Sequence, residues 1–171
     1  MVYKEIQKFN HPWMWFLLAI PGIFIAGLFG FAINRQIIHG QKFGNHPISD
    51  KALILVFTLV LLLFILIALL FLFAKLTTLI DENGIKYRFF PFQFRYLRIN
   101  WDLIEKCVVV TYHPVRDYGG WGIRSNKSGK AYNIAGDKGI QIVLKSGKII
   151  LIGTQNEAGL TDFLNTLAPL R

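Results

Sequence analysis

Two long stretches without a charged residue constrain this chain more than any other feature. Residues 13–33 and residues 52–74 form runs of 21 and 23 residues that contain no Asp, Glu, Lys, Arg or His. At a helical rise of about 1.5 Å per residue they would extend about 31 and 35 Å, which matches a bilayer hydrocarbon core of about 30 Å. The apolar helices of soluble cores and of signal peptides are shorter. The two runs therefore predict two transmembrane helices, connected by a loop at residues 34–51.

These two runs also explain the composition of the chain. Hydrophobic residues make up 53% and charged residues 17% of its 171 residues, a balance that excludes a disordered protein. Outside the two runs the apolar share falls to roughly 41%, which is ordinary for a soluble domain. We therefore expect residues 1–75 to form a transmembrane hairpin and residues 76–171 to form one soluble domain.

The Lys and Arg residues beside the two spans predict their orientation. Three lie in the connecting loop: Arg35, Lys42 and Lys51. Six flank the outer ends: Lys4, Lys8, Lys75, Lys86, Arg88 and Arg95. Since positive charge favours the cytoplasmic side, we expect a multi-pass protein of the cell inner membrane with both termini in the cytoplasm. Trp13 and Trp15 would then lie at the cytoplasmic interface, where indole rings are frequent.

Small residues recur at every fourth position of the first span, at Gly22, Ala26 and Gly30. Helices in lipid associate closely where such residues share a face. This stripe could receive the second span of the same chain, or it could form a homodimer. Neither span contains an ionisable residue, which argues against a transporter or an intramembrane enzyme.

The segment after the spans has the pattern of a mainly-β domain. Apolar alternation and turn residues predict strands at 76–80, 85–90, 92–97, 107–112, 122–124, 131–134, 140–144 and 148–152. Asn83-Gly84 is a hairpin signal because both residues tolerate positive φ. Thr154 and Glu157 form a capping box before an amphipathic helix that Pro169 ends. The expected fold is an open β-barrel or sandwich of about seven strands, capped by this helix.

The order of these elements resembles bacterial membrane-anchored proteins with a PH-like (pleckstrin-homology-like) domain. The resemblance rests on the two spans, the hairpin at Glu82-Asn83-Gly84, the Trp101-Asp102 element within residues 98–104, and the closing helix. The segment from Tyr118 to Arg124 is similar to one branch of these proteins. The resemblance implies a fold and a membrane anchor, and it brings no catalytic residues.

The Gly-rich stretch Tyr118-Gly119-Gly120-Trp121-Gly122-Ile123-Arg124 is a candidate binding loop. Tyr118 and Trp121 offer broad amphipathic surfaces, while Arg116 and Arg124 offer fixed positive charge. These four residues would suit an extended peptide, a carboxylate or a lipid headgroup. The alternative is a tight structural turn in which Trp121 fills the barrel.

A second candidate surface follows the predicted hairpin. Phe90, Phe92, Phe94 and Tyr96 alternate, so a strand would place them on one face. That face could fill the barrel core, or it could enter the headgroup region of the membrane. Four basic residues near it are expected to be membrane-proximal under either interpretation: Lys86, Arg88, Arg95 and Arg98.

Nothing in the sequence predicts a catalytic residue, a metal site or a cofactor. The four histidines are scattered, and the single Cys107 excludes a disulfide framework. The net charge of +9 is explained by orientation in the membrane rather than by nucleic acid. We expect a non-enzymatic membrane protein whose cytoplasmic domain is a binding or assembly module, with the lipid bilayer and another membrane protein or a second copy as partners. The alternative is an accessory subunit of a membrane enzyme or transporter that contacts its partner through the transmembrane helices.

Overall fold

The computed structural model describes residues 1–9, 12–127 and 129–167, with backbone only for Trp13 and Met14. The chain divides into two compact units, one formed by residues 10–72 and the other by residues 1–9 together with 73–171. The first nine residues therefore belong to the β domain, whereas the sequence analysis placed them with the hairpin. The predictions for Trp13 at an interface and for Pro169 as a helix stop fall on parts outside this description.

The helical unit contains two long apolar helices. They are α1 (Pro12–Ile33), which continues into a π-helical turn at Asn34–Ile38, and α2 (Asp50–Phe73). Both are long and apolar enough to cross a membrane, and only 6% of the most apolar window of each is buried. The rings of Phe29 and Phe57 stack 5.2 Å apart between the helices. At the loop end, Gln36 Nε2 donates a hydrogen bond to Asp50 Oδ1 at 2.8 Å.

The other unit is mainly β, as predicted. Its strands are β1 (Tyr3–Lys8), β2 (Lys75–Asp81), β3 (Gly84–Phe90), β4 (Leu97–Asn100), β5 (Ile104–Thr111), β6 (Gly122–Asn126), β7 (Gly129–Asn133), β8 (Lys138–Leu144) and β9 (Ile149–Thr154). Two short helices complete it, α3 (Pro114–Tyr118) and α4 (Glu157–Leu167). The strands form a four-stranded sheet, β1-β2-β3-β4, and a five-stranded sheet, β5-β8-β9-β7-β6. The described part thus has nine strands rather than about seven, and neither sheet closes into a barrel.

Strand β1 is one of the elements that the sequence analysis missed, together with β4 and α3. It pairs antiparallel with β2 over its whole length, from Tyr3↔Ile80 to Lys8↔Lys75. Since β1 precedes the helical unit and β2 follows it, the two helices are inserted between neighbouring strands of one sheet. Residues 8 and 75 must therefore lie on the same side of any membrane that the helices cross.

One hydrophobic core joins the inner faces of both sheets to α4. Its fully buried members include Leu76, Ile80, Ile85 and Phe89 from the first sheet and Ile140, Ile142 and Ile152 from the second. The rings of Tyr87 and Tyr132 meet across the sheets with centroids 4.7 Å apart. Leu160 and Leu167 bring α4 into the same core.

The hairpin between β2 and β3 has a different glycine requirement from the predicted one. Asp81 pairs with Gly84, so Glu82 and Asn83 form the turn, and Asn83 has no positive φ. Gly84 has φ 144°, and a Cβ there would lie 2.2 Å from the carbonyl oxygen of Ile99 on β4. Glycine is therefore needed for the close approach of β4.

The start of α4 also corrects the sequence analysis. Thr154 belongs to β9, and Asn156 caps the helix, because its Oδ1 accepts a hydrogen bond from the Gly159 amide at 3.0 Å. The Thr154 hydroxyl instead donates to Glu5 Oε2 at 2.7 Å. The predicted capping box with Glu157 is therefore wrong.

Candidate functional site

The predicted binding loop connects β5 through α3 to β6 and is held by local hydrogen bonds. Asp117 Oδ2 accepts a hydrogen bond from the His113 amide at 2.8 Å and fixes the first turn of α3. This bond lowers the pKa of the Asp117 carboxyl, and the neighbouring Arg116 lowers it further. Gly119, with φ 73°, ends the helix in the left-handed conformation that favours glycine. The hydrogen bond between Asp117 and His113 therefore fixes the start of α3, and Gly119 fixes its end.

Buried Asn133 fastens this loop to β7. Its side chain is 0% exposed, accepts a hydrogen bond from the Gly122 amide at 2.9 Å and donates one to the Tyr112 hydroxyl at 2.9 Å. Burial raises the pKa of Tyr112 to about 12. Tyr118 is half-buried and packs edge-on against Tyr112, with ring centroids 6.1 Å apart. Tyr118 is thus part of the support of the loop.

Trp121 does not fill the interior between the sheets. Its ring is half-buried, and its Nε1 donates a hydrogen bond to the Gly136 carbonyl at 3.1 Å. The interpretation in which Trp121 fills the barrel is therefore wrong. The Trp121 carbonyl accepts a hydrogen bond from Arg124 Nε at 3.0 Å, which places the Arg124 side chain beside the loop.

The structure leaves the two arginines of this loop at the surface. Arg116 is exposed and contacts only its neighbour Asp117 among the ion pairs of the described residues, at 3.0 Å. Arg124 is exposed on β6, which is an edge strand of the five-stranded sheet. Two exposed apolar side chains directly precede the arginines in the chain, Val115 and Ile123, and the sequence analysis did not single them out. An apolar residue next to each arginine was the sequence feature that could have indicated them.

The second candidate surface differs most from its prediction. The predicted strand at 92–97 is wrong, because residues 92–96 are not in a strand and Leu97 begins β4. We call residues 91–96 the aromatic turn. It follows a cis peptide bond between Phe90 and Pro91. The Gln93 amide donates to the Phe89 carbonyl at 2.8 Å, and Gln93 Oε1 accepts from the Phe89 amide at 3.2 Å. Phe92 and Phe94 are 62% and 74% exposed, so the core interpretation of these two rings is wrong.

A basic face lies on the outer side of the four-stranded sheet. Strand alternation turns most of the buried residues inward, and the opposite positions of β1 to β4 carry Lys4, Lys8, Lys75, Lys86, Arg88 and Arg98. We call these six residues the basic face. Lys75 lies 5.7 Å from the Phe90 ring centroid, and the Arg88 guanidinium lies 4.6 Å from that of Tyr96. Of the four predicted membrane-proximal cations, three lie on this face, and Arg95 lies in the aromatic turn.

The three small residues of the α1 stripe have different surroundings in the structure. A Cβ at Gly22 would lie 2.8 Å from Phe64 Cε1 of α2, so this position packs within the hairpin. Gly30 has open space around it, and Ala26 is exposed. The first position therefore agrees with packing in the same chain, and the other two remain available to another helix.

A cleft of about 730 Å³ lies beside the 3₁₀ turn at Trp101–Leu103. Its lining combines three carboxylates with apolar groups: Glu82, Asp102, Glu105, Trp101, Ile104, Cys107 and Leu167. Trp101 Nε1 donates to the Asp81 carbonyl at 2.9 Å, which holds the indole in the wall. Among the described residues, no three His, Cys, Asp or Glu side chains are grouped so that they could hold a metal ion.

Comparisons with protein-family models, with curated proteins and with solved structures give no match. The observations that bear on function are therefore the geometry of the two surfaces and the insertion of the helices between β1 and β2.

Proposed function

We propose that this chain is an integral protein of the bacterial inner membrane, in which a two-helix anchor displays a non-enzymatic binding module to the cytoplasm. The module is the β domain, to which we assign a PH-like architecture. The insertion of the helices between β1 and β2 supports the anchor, because the Lys8↔Lys75 pair requires the chain to leave and return on one side. The small buried fraction of both helices also supports it, since a soluble core helix would be covered by protein.

The observation that carries the binding role is the hydrogen-bonded loop with exposed Arg116 and Arg124 around Trp121. Trp and Arg side chains dominate the binding energy of many interfaces. A loop that is already fixed by Asn133 loses little conformational entropy when a partner binds. Because β6 is an edge strand, an extended segment of a partner can also pair with its backbone. We assign the loop to another membrane protein that offers an extended segment with a carboxylate.

The test is in-cell crosslinking of the full chain, followed by co-purification from the native membrane. We expect the double substitution Trp121→Ala and Arg124→Ala to remove the crosslinked partner and to leave thermal unfolding cooperative. The matched control is Lys145→Ala with Lys148→Ala, which removes two exposed cations at the β8–β9 turn. If the control loses the same partner, or if the double substitution unfolds the domain, the loop is not the binding site.

Topology is tested separately with a thiol reagent that does not cross membranes. In a Cys107→Ser background, Lys42→Cys places the only cysteine in the loop between the helices. We expect labelling of position 42 from the periplasmic side and labelling of a Lys4→Cys variant only after the cells are opened. The reverse pattern would place the β domain outside the cytoplasm and contradict the proposal.

One observation favours a second function, an accessory subunit that contacts a membrane enzyme or transporter through α1. Ala26 and Gly30 are exposed in the helical unit, and a small residue permits a close helix contact. Replacing Ala26 and Gly30 by Leu would then abolish co-purification of the partner while the β domain stays folded. Retention of the partner in this variant, together with its loss in the loop variant, supports the binding module instead.

A further inference from the structure

We propose that the basic face and the aromatic turn dock together on an anionic lipid surface, so that the β domain rests on the membrane that holds its own helices. This inference rests on the membrane anchor proposed above. Its occupant is the bilayer surface, with anionic headgroups against the cations and the interfacial region against the exposed rings. It concerns a different surface from the loop around Trp121.

The aromatic turn exposes two large apolar rings. Phe92 and Phe94 are among the most exposed large apolar side chains of the β domain, and the two hydrogen bonds between Gln93 and Phe89 hold the turn that presents them. Aromatic rings are enriched where membranes meet water. A fixed turn can therefore insert its rings without first becoming ordered.

The basic face carries an unbalanced positive charge. Lys8 stands directly opposite Lys75, and Lys86 stands directly opposite Arg98. Like charges in directly opposite positions destabilise a sheet, so an anionic partner would relieve them. Asp81 is the acidic side chain at the outward positions of β1–β4, and its Oδ2 already contacts Lys86 Nζ at 2.7 Å. Of the other cations, Lys75 and Arg88 lie against aromatic rings, and the exposed Lys4, Lys8 and Arg98 are left for an external anion.

Only short chain segments separate the basic face from the two helices. Lys8 precedes the start of α1 at Pro12 by four residues, and Lys75 follows the end of α2 at Phe73 by two. At about 3.6 Å per extended residue, the backbone of both lysines lies within about 14 Å of a helix end. Phe90, which leads into the aromatic turn, is paired with Lys75. The turn is therefore tethered close to the bilayer, and a tethered contact needs little intrinsic affinity.

Aromatic rings beside cations also suit single-stranded nucleic acid, which stacks its bases on such rings. The short tethers at Lys8 and Lys75 favour lipid over this occupant. Nucleic acid is therefore one outcome of the test.

The experiment uses the full chain reconstituted in vesicles, with a photoreactive phenylalanine analogue in place of Phe94. Vesicles contain phosphatidylcholine alone or phosphatidylcholine mixed with phosphatidylglycerol, and lipid adducts are measured by mass spectrometry. We expect adducts at position 94 in the mixed vesicles and several-fold fewer in phosphatidylcholine alone. The same analogue in place of Ser146, an exposed residue of the β8–β9 turn, is the matched control and should give none.

Charge variants complete the test. Lys75→Gln and Arg95→Gln should each lower the docking equilibrium about fivefold, the effect of one cation near an anionic surface. Lys145→Gln, at the turn that holds Ser146, should leave it unchanged. Equal adduct yields at positions 94 and 146 would overturn the inference. A yield at position 94 that does not depend on the lipid charge would also overturn it. So would suppression of the adducts by single-stranded RNA that is added before irradiation.

Extraction with alkaline carbonate separates this inference from the proposed function. A chain released from the vesicles by carbonate is not anchored, and the proposed function then fails. A chain that resists carbonate but gives no lipid adduct at position 94 keeps its anchor and loses only the docking surface.

Discussion

The Glu5 carboxylate accepts a hydrogen bond from the Thr154 hydroxyl at 2.7 Å, although the two residues are 149 positions apart in the chain. Its other oxygen accepts one from the Gln155 amide at 2.7 Å, and the Tyr3 hydroxyl donates a third at 2.8 Å. This cluster ties the edge strand β1 of the first sheet to the end of β9 in the second. Residues that precede the helices thus complete the domain that follows them.

We predict that Glu5→Ala lowers the free energy of unfolding of the β domain by about 2–4 kcal/mol. Hydrogen bonds to a charged group contribute about 1.5–3 kcal/mol each, and partial exposure of the cluster reduces their sum. Chemical denaturation in detergent, followed by tryptophan fluorescence, measures the change. Lys4→Ala, at an exposed outward position of the same strand, is the control and should change stability by less than about 0.5 kcal/mol. Equal effects of both substitutions would show that the carboxylate does not hold β1.

Two glycines with positive φ, Gly84 and Gly147, provide a second prediction. Backbone strain alone would cost about 1–3 kcal/mol. Gly84→Ala should destabilise the domain by more than this, because the new Cβ would also collide with the Ile99 carbonyl. Gly147→Ala is the matched comparison, since Gly147 has φ 78° with open space around it and retains only the strain. Thermal unfolding of the two variants should therefore rank Gly84→Ala well below Gly147→Ala. The opposite order would mean that β4 moves freely away from the hairpin.

Local signals predicted most of the β domain, while contacts between distant residues decided the parts that were missed. Strands such as β2 and β3 alternate inward apolar residues, so their pattern is visible in the sequence. Strand β1 also alternates, but its inward side chains include Glu5 and Gln7, which are polar. Gln7 is nevertheless 0% exposed and donates to the Gly153 carbonyl. A buried polar face of this kind is recognised only when its partners on β9 are known.

The two candidate surfaces were also only partly predictable from the sequence. The alternation from Phe90 to Tyr96 is the pattern of a strand, yet Pro91 and the Gln93–Phe89 hydrogen bonds fold it into a turn. Period alone does not distinguish a strand from a turn that exposes alternate rings. In the other loop, the glycines and arginines predicted a surface site, whereas the support from Asn133 depends on a residue of β7.

We predict an alkaline loss of stability that depends on buried tyrosines. Burial raises the pKa of Tyr112 to about 12, and it raises those of Tyr3 and Tyr87 further. Because the unfolded chain releases these protons near pH 10, stability is complete below that pH and falls as the pH rises toward 12. Tyrosinate absorbance and circular dichroism, recorded along a pH titration, should change together. Tyr112→Phe removes one of these buried hydroxyls and should reduce the slope. An unchanged slope in this variant would mean that Tyr112 does not contribute to the loss.

Asn133 provides a prediction for the binding loop. Asn133→Leu leaves the Gly122 amide and the Tyr112 hydroxyl without their partner, and we expect a loss of about 2–4 kcal/mol. Amide hydrogen exchange should become faster in β6 first, because its support is lost there. Exchange in β2 should change only with global stability. Equal acceleration in both strands would show that Asn133 supports the whole core rather than the loop.

The last prediction separates the two parts of the α1 stripe. Gly22→Leu should weaken the contact between α1 and α2, because the new side chain would occupy the place of the Phe64 ring. Gly30→Leu should leave the contact intact, since that position is open. Crosslinking of Phe29→Cys to Phe57→Cys by a bifunctional thiol reagent, in a Cys107→Ser background, reports the contact, because these rings stack in the structure. We expect slower crosslinking in the membrane with Gly22→Leu and an unchanged rate with Gly30→Leu. An unchanged rate in both variants would mean that Gly22 is not a packing position of the hairpin, and the whole stripe would then be open to a partner helix.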